Sequence, residues 1–197
     1  LPFPWVRRFV SETALGAAGA AHAPRSSLEL RLGVCFRAAA AATPAGGAAA
    51  AAGAAGASRM PHAFAAPSNT GAPSGLDLSR DGEIAGPGDA WGWGAFPGPY
   101  GMAVRSRFPV DAAALRSFRT LPWTAMPGAL IPRNFYGEVA DVVRLSSKSH
   151  WDLPIALPDG RRLHLLASHP TPPVFDGPED RNGRRNHDEI RFWTEYL

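Results

Sequence analysis

The chain has 197 residues, a formal net charge of +3 and one cysteine. This length allows one domain with a core, but hardly two. The single cysteine excludes an internal disulfide and a cysteine-based zinc site. The small charge is spread along the sequence, so it does not indicate a nucleic-acid partner, although it does not exclude one. No apolar run reaches about 18 residues, so no membrane span is expected.

The first 59 residues show no pattern typical of a folded core. Residues 1–37 are predicted to be a leader of unknown structure, with a candidate short strand at residues 28–36. Residues 5–23 loosely resemble a secretion signal, which would make the protein secreted or periplasmic, but Ser11 and Glu12 interrupt the apolar segment. Residues 38–59 are mostly Ala and Gly, and we predict a low-complexity linker there.

From residue 60 onward the composition is typical of a folded domain. Residues 67–101 are rich in Gly, Pro, Asn and Asp, with aromatic residues scattered among them. We predict a long ordered loop, because its aromatic side chains would need surfaces against which to bury. Those side chains are Trp91, Trp93, Phe96 and Tyr100. Ordered loops of this length are usually functional.

The remaining segments alternate between strand and helix patterns. Alternating apolar residues predict strands at residues 100–110, 138–147, 152–157 and 162–169. The Asp-Gly pair at residues 159–160 predicts that the last two strands form a hairpin. Ile190, Trp193 and Leu197 lie at helical spacing, which predicts an amphipathic helix beginning near Asn186. Together these elements indicate a strand-rich core covered by a helix.

The candidate chemistry lies where these strands end. His169 follows an apolar strand, a position at which α/β proteins place reactive groups; the alternative is a histidine that merely caps the strand. Lys148 and His150 suit an anionic substrate such as phosphate, since both donate charged hydrogen bonds; the alternative is an exposed bend. Asn69, in the long loop, is a further candidate substrate ligand.

A charged segment follows His169 within one loop. Its arginines are Arg181, Arg184 and Arg185, and the acids near them are Glu179, Asp180 and Glu189. Because the signs are balanced, we predict that the arginines pair with the acids and order the loop. Direct contact between the arginines and a substrate is the alternative.

Four motifs carry a resemblance to a known family. They are "PSNTGAPSGLDL", "GPGDAWGWGAFPGPYGMAVRSRFPV", "LSSKSHWDLPI" and "LLASHPTPPVFDGPEDRNGRRNHDEIRFW". Together, from about Met60 to Leu197, they resemble one bacterial branch of the endonuclease/exonuclease/phosphatase superfamily, which has the pancreatic-deoxyribonuclease-like fold. Residues 1–59 show no such resemblance.

The resemblance implies an α/β (α+β) domain over residues 60–197: a four-layer sandwich of two mixed β-sheets flanked by helices, incomplete in this chain. It implies a metal-dependent phosphoesterase that hydrolyses phosphodiester or phosphomonoester bonds. Mg²⁺ is the implied ion, with Mn²⁺ and Ca²⁺ as alternatives, since oxygen ligands suit hard cations. His169 matches the family's phosphate-binding histidine. Lys148 or His150 falls near its tyrosine-or-basic position.

Three motifs of that family are missing from this sequence. They are an early Asn-Glu or Gln-Glu strand end that holds the metal, a later Gly-Asp-x-Asn and a Ser-Asp-His. Attack on phosphorus needs charge neutralisation and a positioned water, which His169 and Lys148 do not supply alone. We therefore expect an inactive fragment of a phosphoesterase, with its metal ligands unassigned. The alternatives are a non-catalytic module that binds phosphate ligands and a truncated or misread gene product.

Overall fold

The computed structural model describes residues 60–197 and one short strand upstream of them. The strands are β1 (Gly33–Val34), β2 (His62–Ala65), β3 (Ala103–Ser106), β4 (Arg116–Ser117), β5 (His150–Ala156) and β6 (Arg162–Ser168). The α-helices are α1 (Arg133–Tyr136) and α2 (Arg181–Tyr196). Apart from β1, the predicted leader and linker lie outside the described residues. The domain boundary at residue 60 stays a prediction.

Two antiparallel three-stranded sheets form the strand layers of the fold. The first has the order β1-β3-β2 and the second the order β4-β5-β6. In the second sheet His150 pairs with Ser168 and Ala156 pairs with Arg162, which confirms the predicted hairpin. The predicted α/β sandwich is also confirmed. All the strand pairs in the described part of the chain are antiparallel.

The two sheets face each other across an apolar core. Its buried members are Met102, Val104, Trp151 and Leu153. Phe64 of β2 packs edge-on against Trp151 of β5, with the ring centroids 5.1 Å apart. Because side chains alternate along a strand, the other face of β5 carries His150 and Asp152. One strand therefore supplies an apolar face to the sheet interface and a polar face to the next layer.

Helix α2 covers that polar face. The rings of Phe192 and Trp193 lie 5.0 and 5.3 Å from the ring of His150, between centroids. One turn further along, the hydroxyl of Tyr196 donates a hydrogen bond to the Asp152 carboxylate. The described part of the chain is thus layered as sheet, sheet and helix, with β5 at its centre.

The predicted long loop, residues 67–101, is ordered. Backbone hydrogen bonds tie its two halves together, including Gly71 N–H to the Gly92 carbonyl at 2.9 Å and Trp91 N–H to the Ala72 carbonyl at 3.0 Å. The burial expected of its aromatic side chains is wrong for three of the four. Trp93, Phe96 and Tyr100 are 61%, 46% and 51% exposed. Backbone hydrogen bonds hold the loop in place, and these three rings remain exposed to solvent.

The strand predicted at residues 138–147 is not formed. A 3₁₀ helix, Gly137–Asp141, occupies its first half. Ala140 and Val143 are buried whereas Val142 is exposed, which is a three-residue repeat and not the alternation of a strand. The spacing of the buried residues therefore does not fit the predicted strand.

Helix α2 begins at Arg181, before the predicted start at Asn186, and it buries a different face. Ile190 and Leu197, which were expected to pack, are exposed. The buried residues are Arg185, Asp188, Glu189 and Phe192. The prediction of the buried face from apolar spacing is wrong because the burial of a charged side chain depends on partners that lie far away in sequence.

Leu153 provides a test of the sheet interface, since its side chain is completely buried between the two sheets. We expect Leu153→Ala to lower the free energy of unfolding by about 2–5 kcal/mol, through lost apolar burial and a cavity. Leu130→Ala, at a partly exposed position, is the matched control and should cost less than about 1 kcal/mol. Urea denaturation measures both. Equal losses in the two variants would contradict a core centred on β5.

Candidate functional site

His169 lies directly after the last residue of β6 and is half-buried. Its Nδ1–H donates a hydrogen bond to the backbone carbonyl of Tyr100 at 3.2 Å, which directs Nε2 away from that carbonyl. Burial and the positive charge of Lys148 lower the pKa of His169. The histidine is therefore held in one orientation beside a second basic group.

Lys148 is that second basic group, and its side chain is buried. The ammonium Nζ donates to the carbonyl of Pro170, the residue after His169, at 3.3 Å. Burial, the main cause, lowers the pKa of Lys148 to about 8, against an opposing effect of Glu189. A buried ammonium ion gains strongly from an anion, because little water competes for its N–H groups.

Glu189 holds together the two segments that carry these groups. Its Oε1 accepts from the Ser147 N–H at 2.6 Å and from the Ser147 hydroxyl at 2.8 Å. Its Oε2 accepts from the Thr171 N–H at 2.6 Å. Ser147 precedes Lys148 and Thr171 follows Pro170, so one carboxylate on α2 fixes the backbone on both sides of the basic pair.

His150 lies on the opposite face of β5 from the sheet interface and contacts α2. Its Nε2–H donates to the Glu189 carbonyl at 2.8 Å, and its Nδ1 lies 2.6 Å from the Ser146 hydroxyl. Burial lowers its pKa, which favours the neutral imidazole. Both ring nitrogens are thus engaged inside the protein. The structure brings Lys148, and not His150, towards His169.

Asn69 is completely buried and joins three segments of the chain. Its Nδ2 donates to the carbonyls of Arg119 at 2.6 Å and Ser146 at 2.7 Å. Its Oδ1 accepts from Arg144 at 2.7 Å and from Arg119 at 3.3 Å. Its backbone N–H donates to the Lys148 carbonyl at 2.9 Å. All of its side-chain hydrogen-bonding groups are used in positioning the strand-entry segment that carries Lys148.

The arginines of the charged segment divide between two kinds of partner. Arg181 lies 3.5 Å from Glu179, as an ion pair of the predicted kind. Arg185 is buried and instead donates to the carbonyls of Leu145, Trp91 and Arg144, at 2.7–2.9 Å. The loop is therefore ordered partly by ion pairs and partly by an arginine that caps backbone carbonyls.

Residues 60–197 offer no evident cation site. Among them, no group of three or more His, Cys, Asp or Glu side chains is placed to hold a metal ion. These residues therefore do not fit a divalent metal by themselves. Within the same part of the chain, no helix combines the length and the apolar character needed to cross a membrane.

The sequence predicted Lys148 and His169 as candidate site residues, but it did not predict the groups that hold them in place. Glu189 was expected to pair with an arginine, and the carbonyl of Tyr100 was not considered. The only sequence sign of Glu189's role is its position one turn before the aromatic Trp193 on a helix, which many surface acids share. Contacts across such sequence distances leave no local pattern.

The chain matches the model of a known protein family. The family model described as the endonuclease/exonuclease/phosphatase family matches residues 32–194, most of the chain. The match begins upstream of residue 60 and includes β1. No curated protein and no solved structure matches the chain.

Glu189 provides a test of this arrangement. We expect Glu189→Ala to lower the free energy of unfolding by about 3 kcal/mol, because three buried donors lose their acceptor. The control is Glu195→Ala, which removes a surface ion pair of the same helix with Arg191 and should cost less than about 1 kcal/mol. Urea denaturation of both variants gives the comparison. Similar losses would show that the buried carboxylate is no more important than a surface one.

Proposed function

This chain belongs to the endonuclease/exonuclease/phosphatase family, which acts on phosphate esters, and we propose that Lys148 and His169 form its phosphate-binding site. The observation that carries the proposal is the meeting of two basic side chains at the end of β6, with Lys148 bonded to the residue that follows His169. The substrate class is a phosphodiester or a phosphomonoester.

His169 has a defined part in this proposal. Its Nδ1–H donates to the Tyr100 carbonyl, so the imidazole gains its second proton at Nε2. We propose that this Nε2–H donates a hydrogen bond to a phosphate oxygen. The bound phosphate favours the protonated imidazole and opposes the effects that lower its pKa. The histidine binds and orients the anion.

Lys148 supplies a positive charge at neutral pH, below its pKa of about 8. One of its three N–H groups donates to the Pro170 carbonyl, and we propose that the others donate to phosphate oxygens. A partly desolvated ammonium binds an anion more strongly than an exposed one. His150 and Asn69, predicted as further substrate ligands, are proposed as positioning residues because their polar atoms bond within the protein.

The family match supports hydrolase chemistry of the phosphoesterase or nuclease type, and family enzymes generally depend on a divalent metal. Mg²⁺ is the ion we propose, with Mn²⁺ and Ca²⁺ as alternatives. Residues 60–197 contain no group of side chains fitted to that ion. We therefore propose that these residues bind a phosphate ester without hydrolysing it.

Loss of His169 tests the proposal directly. We expect His169→Gln to weaken the binding of inorganic phosphate by about 10- to 100-fold, since one charge-assisted hydrogen bond is lost. Isothermal titration calorimetry at a pH near the ordinary histidine pKa measures the change. His187→Gln is the matched control, because His187 is an exposed histidine on α2 outside the site. Unchanged binding by the His169 variant would remove this residue from the site.

The pH dependence of phosphate binding tests Lys148. Its pKa of about 8 means that the ammonium is present below that pH and is lost as the pH rises through it. We expect the dissociation constant for phosphate to increase across this range, with a midpoint raised somewhat by the bound anion.

Lys148→Arg is the control for this pH dependence, because its guanidinium stays charged throughout the range. It should remove the loss of affinity. Lys148→Met should weaken binding below a pH of about 8, where the wild type carries the ammonium, and should bind about as weakly as the wild type above it. A wild-type dissociation constant that stays flat through this range would contradict the role of Lys148.

A further inference from the structure

Arg119 and Arg144 share a single hydrogen-bond acceptor. Nη1 of Arg144 donates to Asn69 Oδ1 at 2.7 Å, and Nη1 of Arg119 donates to the same oxygen at 3.3 Å. The two guanidinium nitrogens therefore lie no more than about 6 Å apart. The oxygen that they share belongs to an uncharged amide. We call these two side chains the arginine pair.

No acid in the described part of the chain neutralises the arginine pair. Other arginines there do have such a partner; Arg133, for example, lies 2.7 Å from Asp141. Within residues 60–197, neither Arg119 nor Arg144 has an Asp or Glu at ion-pair distance. The pair therefore carries two positive charges that no carboxylate of these residues balances.

Arg185 brings a third positive charge to the same segment. Its Nη2 donates to the backbone carbonyl of Arg144 at 2.7 Å and to that of Trp91 at 2.9 Å. Burial is the main cause that lowers the pKa of Arg144, and the positive charge of Arg119 lowers it further. Like charges held this close repel each other, and an anion bound between them would offset that repulsion.

The surrounding groups fix the arginine pair in place. Asn69, the shared acceptor, is completely buried, and its Nδ2 donates to the carbonyl of Arg119 at 2.6 Å. The guanidinium of Arg144 stacks over the ring of Trp91, with Cζ 4.1 Å from the ring centroid. Both arginines are half-buried, so one side of the pair is open to solvent. A site made of fixed groups loses little conformational freedom when a ligand binds.

From this geometry we propose that the arginine pair binds a divalent tetrahedral oxyanion, of the phosphate or sulfate type, at a site separate from Lys148 and His169. Two guanidiniums supply two positive charges, and their planar forks of N–H groups match the oxygens of such an anion. A carboxylate carries one negative charge and would balance only one of the two arginines. The inference goes beyond the proposed function, because it needs neither Lys148 nor His169.

Sulfate titrations of the 197-residue chain, followed by calorimetry, test this inference. Sulfate is the probe because it stays divalent at neutral pH. We expect two sulfate sites in the wild type, and Arg144→Gln should weaken one of them by at least about tenfold, since a charge-assisted hydrogen bond contributes this much. Arg144→Lys keeps the charge but loses the fork of N–H groups, so its affinity should lie between the two.

Arg133→Gln is the matched control for these titrations. It makes the same change of charge at an exposed arginine that already pairs with Asp141, so it should leave both sulfate sites unchanged. An equal loss of affinity in Arg133→Gln and Arg144→Gln would overturn the inference, because it would show that sulfate responds only to the total charge.

Methyl phosphate distinguishes the two sources of such an anion. It is titrated into a Lys148→Met/His169→Gln chain, in which the arginine pair is the remaining site, and is compared with inorganic phosphate. Similar affinities support a pair that accepts the phosphate group of an ester. Binding of inorganic phosphate alone supports a pair that holds the free ion. Failure of both to bind rejects the arginine pair.

The outcomes also separate this inference from the proposed function. A single sulfate site that survives Arg144→Gln and is lost in the Lys148→Met/His169→Gln chain rejects the arginine pair and keeps the phosphate site. A single site with the opposite behaviour rejects the phosphate site and keeps the pair. In the wild-type chain, sulfate should shift the Nε–H nuclear magnetic resonance signals of Arg119 and Arg144. Unmoved signals would overturn the inference even if a variant fails to fold.

Discussion

The buried carboxylate of Glu189 is the constraint on which the rest of the arrangement depends. A carboxylate removed from water must receive hydrogen bonds, and Glu189 receives them from Ser147 and Thr171. These residues belong to the segments that enter β5 and leave β6. Lys148 and His169 lie inside those segments. The hydrogen bonds to Glu189 therefore also fix how far apart the two basic groups lie.

The same principle explains how α2 is fixed on the sheet. Asp188 is buried and accepts from the Trp123 indole and the Leu130 N–H, both at 2.7 Å. Burial opposes its ionisation, yet these hydrogen bonds hold the pKa of Asp188 below its ordinary value. Arg185 of the same helix donates hydrogen bonds to the backbone carbonyls of Leu145 and Arg144. Apolar contacts tolerate a shifted helix, whereas buried charges are satisfied at one position only, so these residues define the position of α2.

The proposed phosphate site and the loop of residues 67–101 share this support. Gly92 packs against Ser147, which bonds to Glu189, so the loop of residues 67–101 rests on the same buried framework as the basic pair. Tyr100 completes the connection by holding His169.

The sequence by itself determined the hairpin of β5 and β6, the α/β class and the position of His169 directly after β6. Each has a local cause: an Asp-Gly turn, an alternation of period two, or a family motif around "ASHP". The tertiary structure decided the buried face of α2, the 3₁₀ helix in place of a strand near residue 140, the choice of Lys148 over His150 as the neighbour of His169, and the exposure of Trp93 and Tyr100. These features depend on where a donor or a carbonyl from a distant segment comes to lie. A charge is buried only when such a partner is present, and no local pattern in the sequence records that partner.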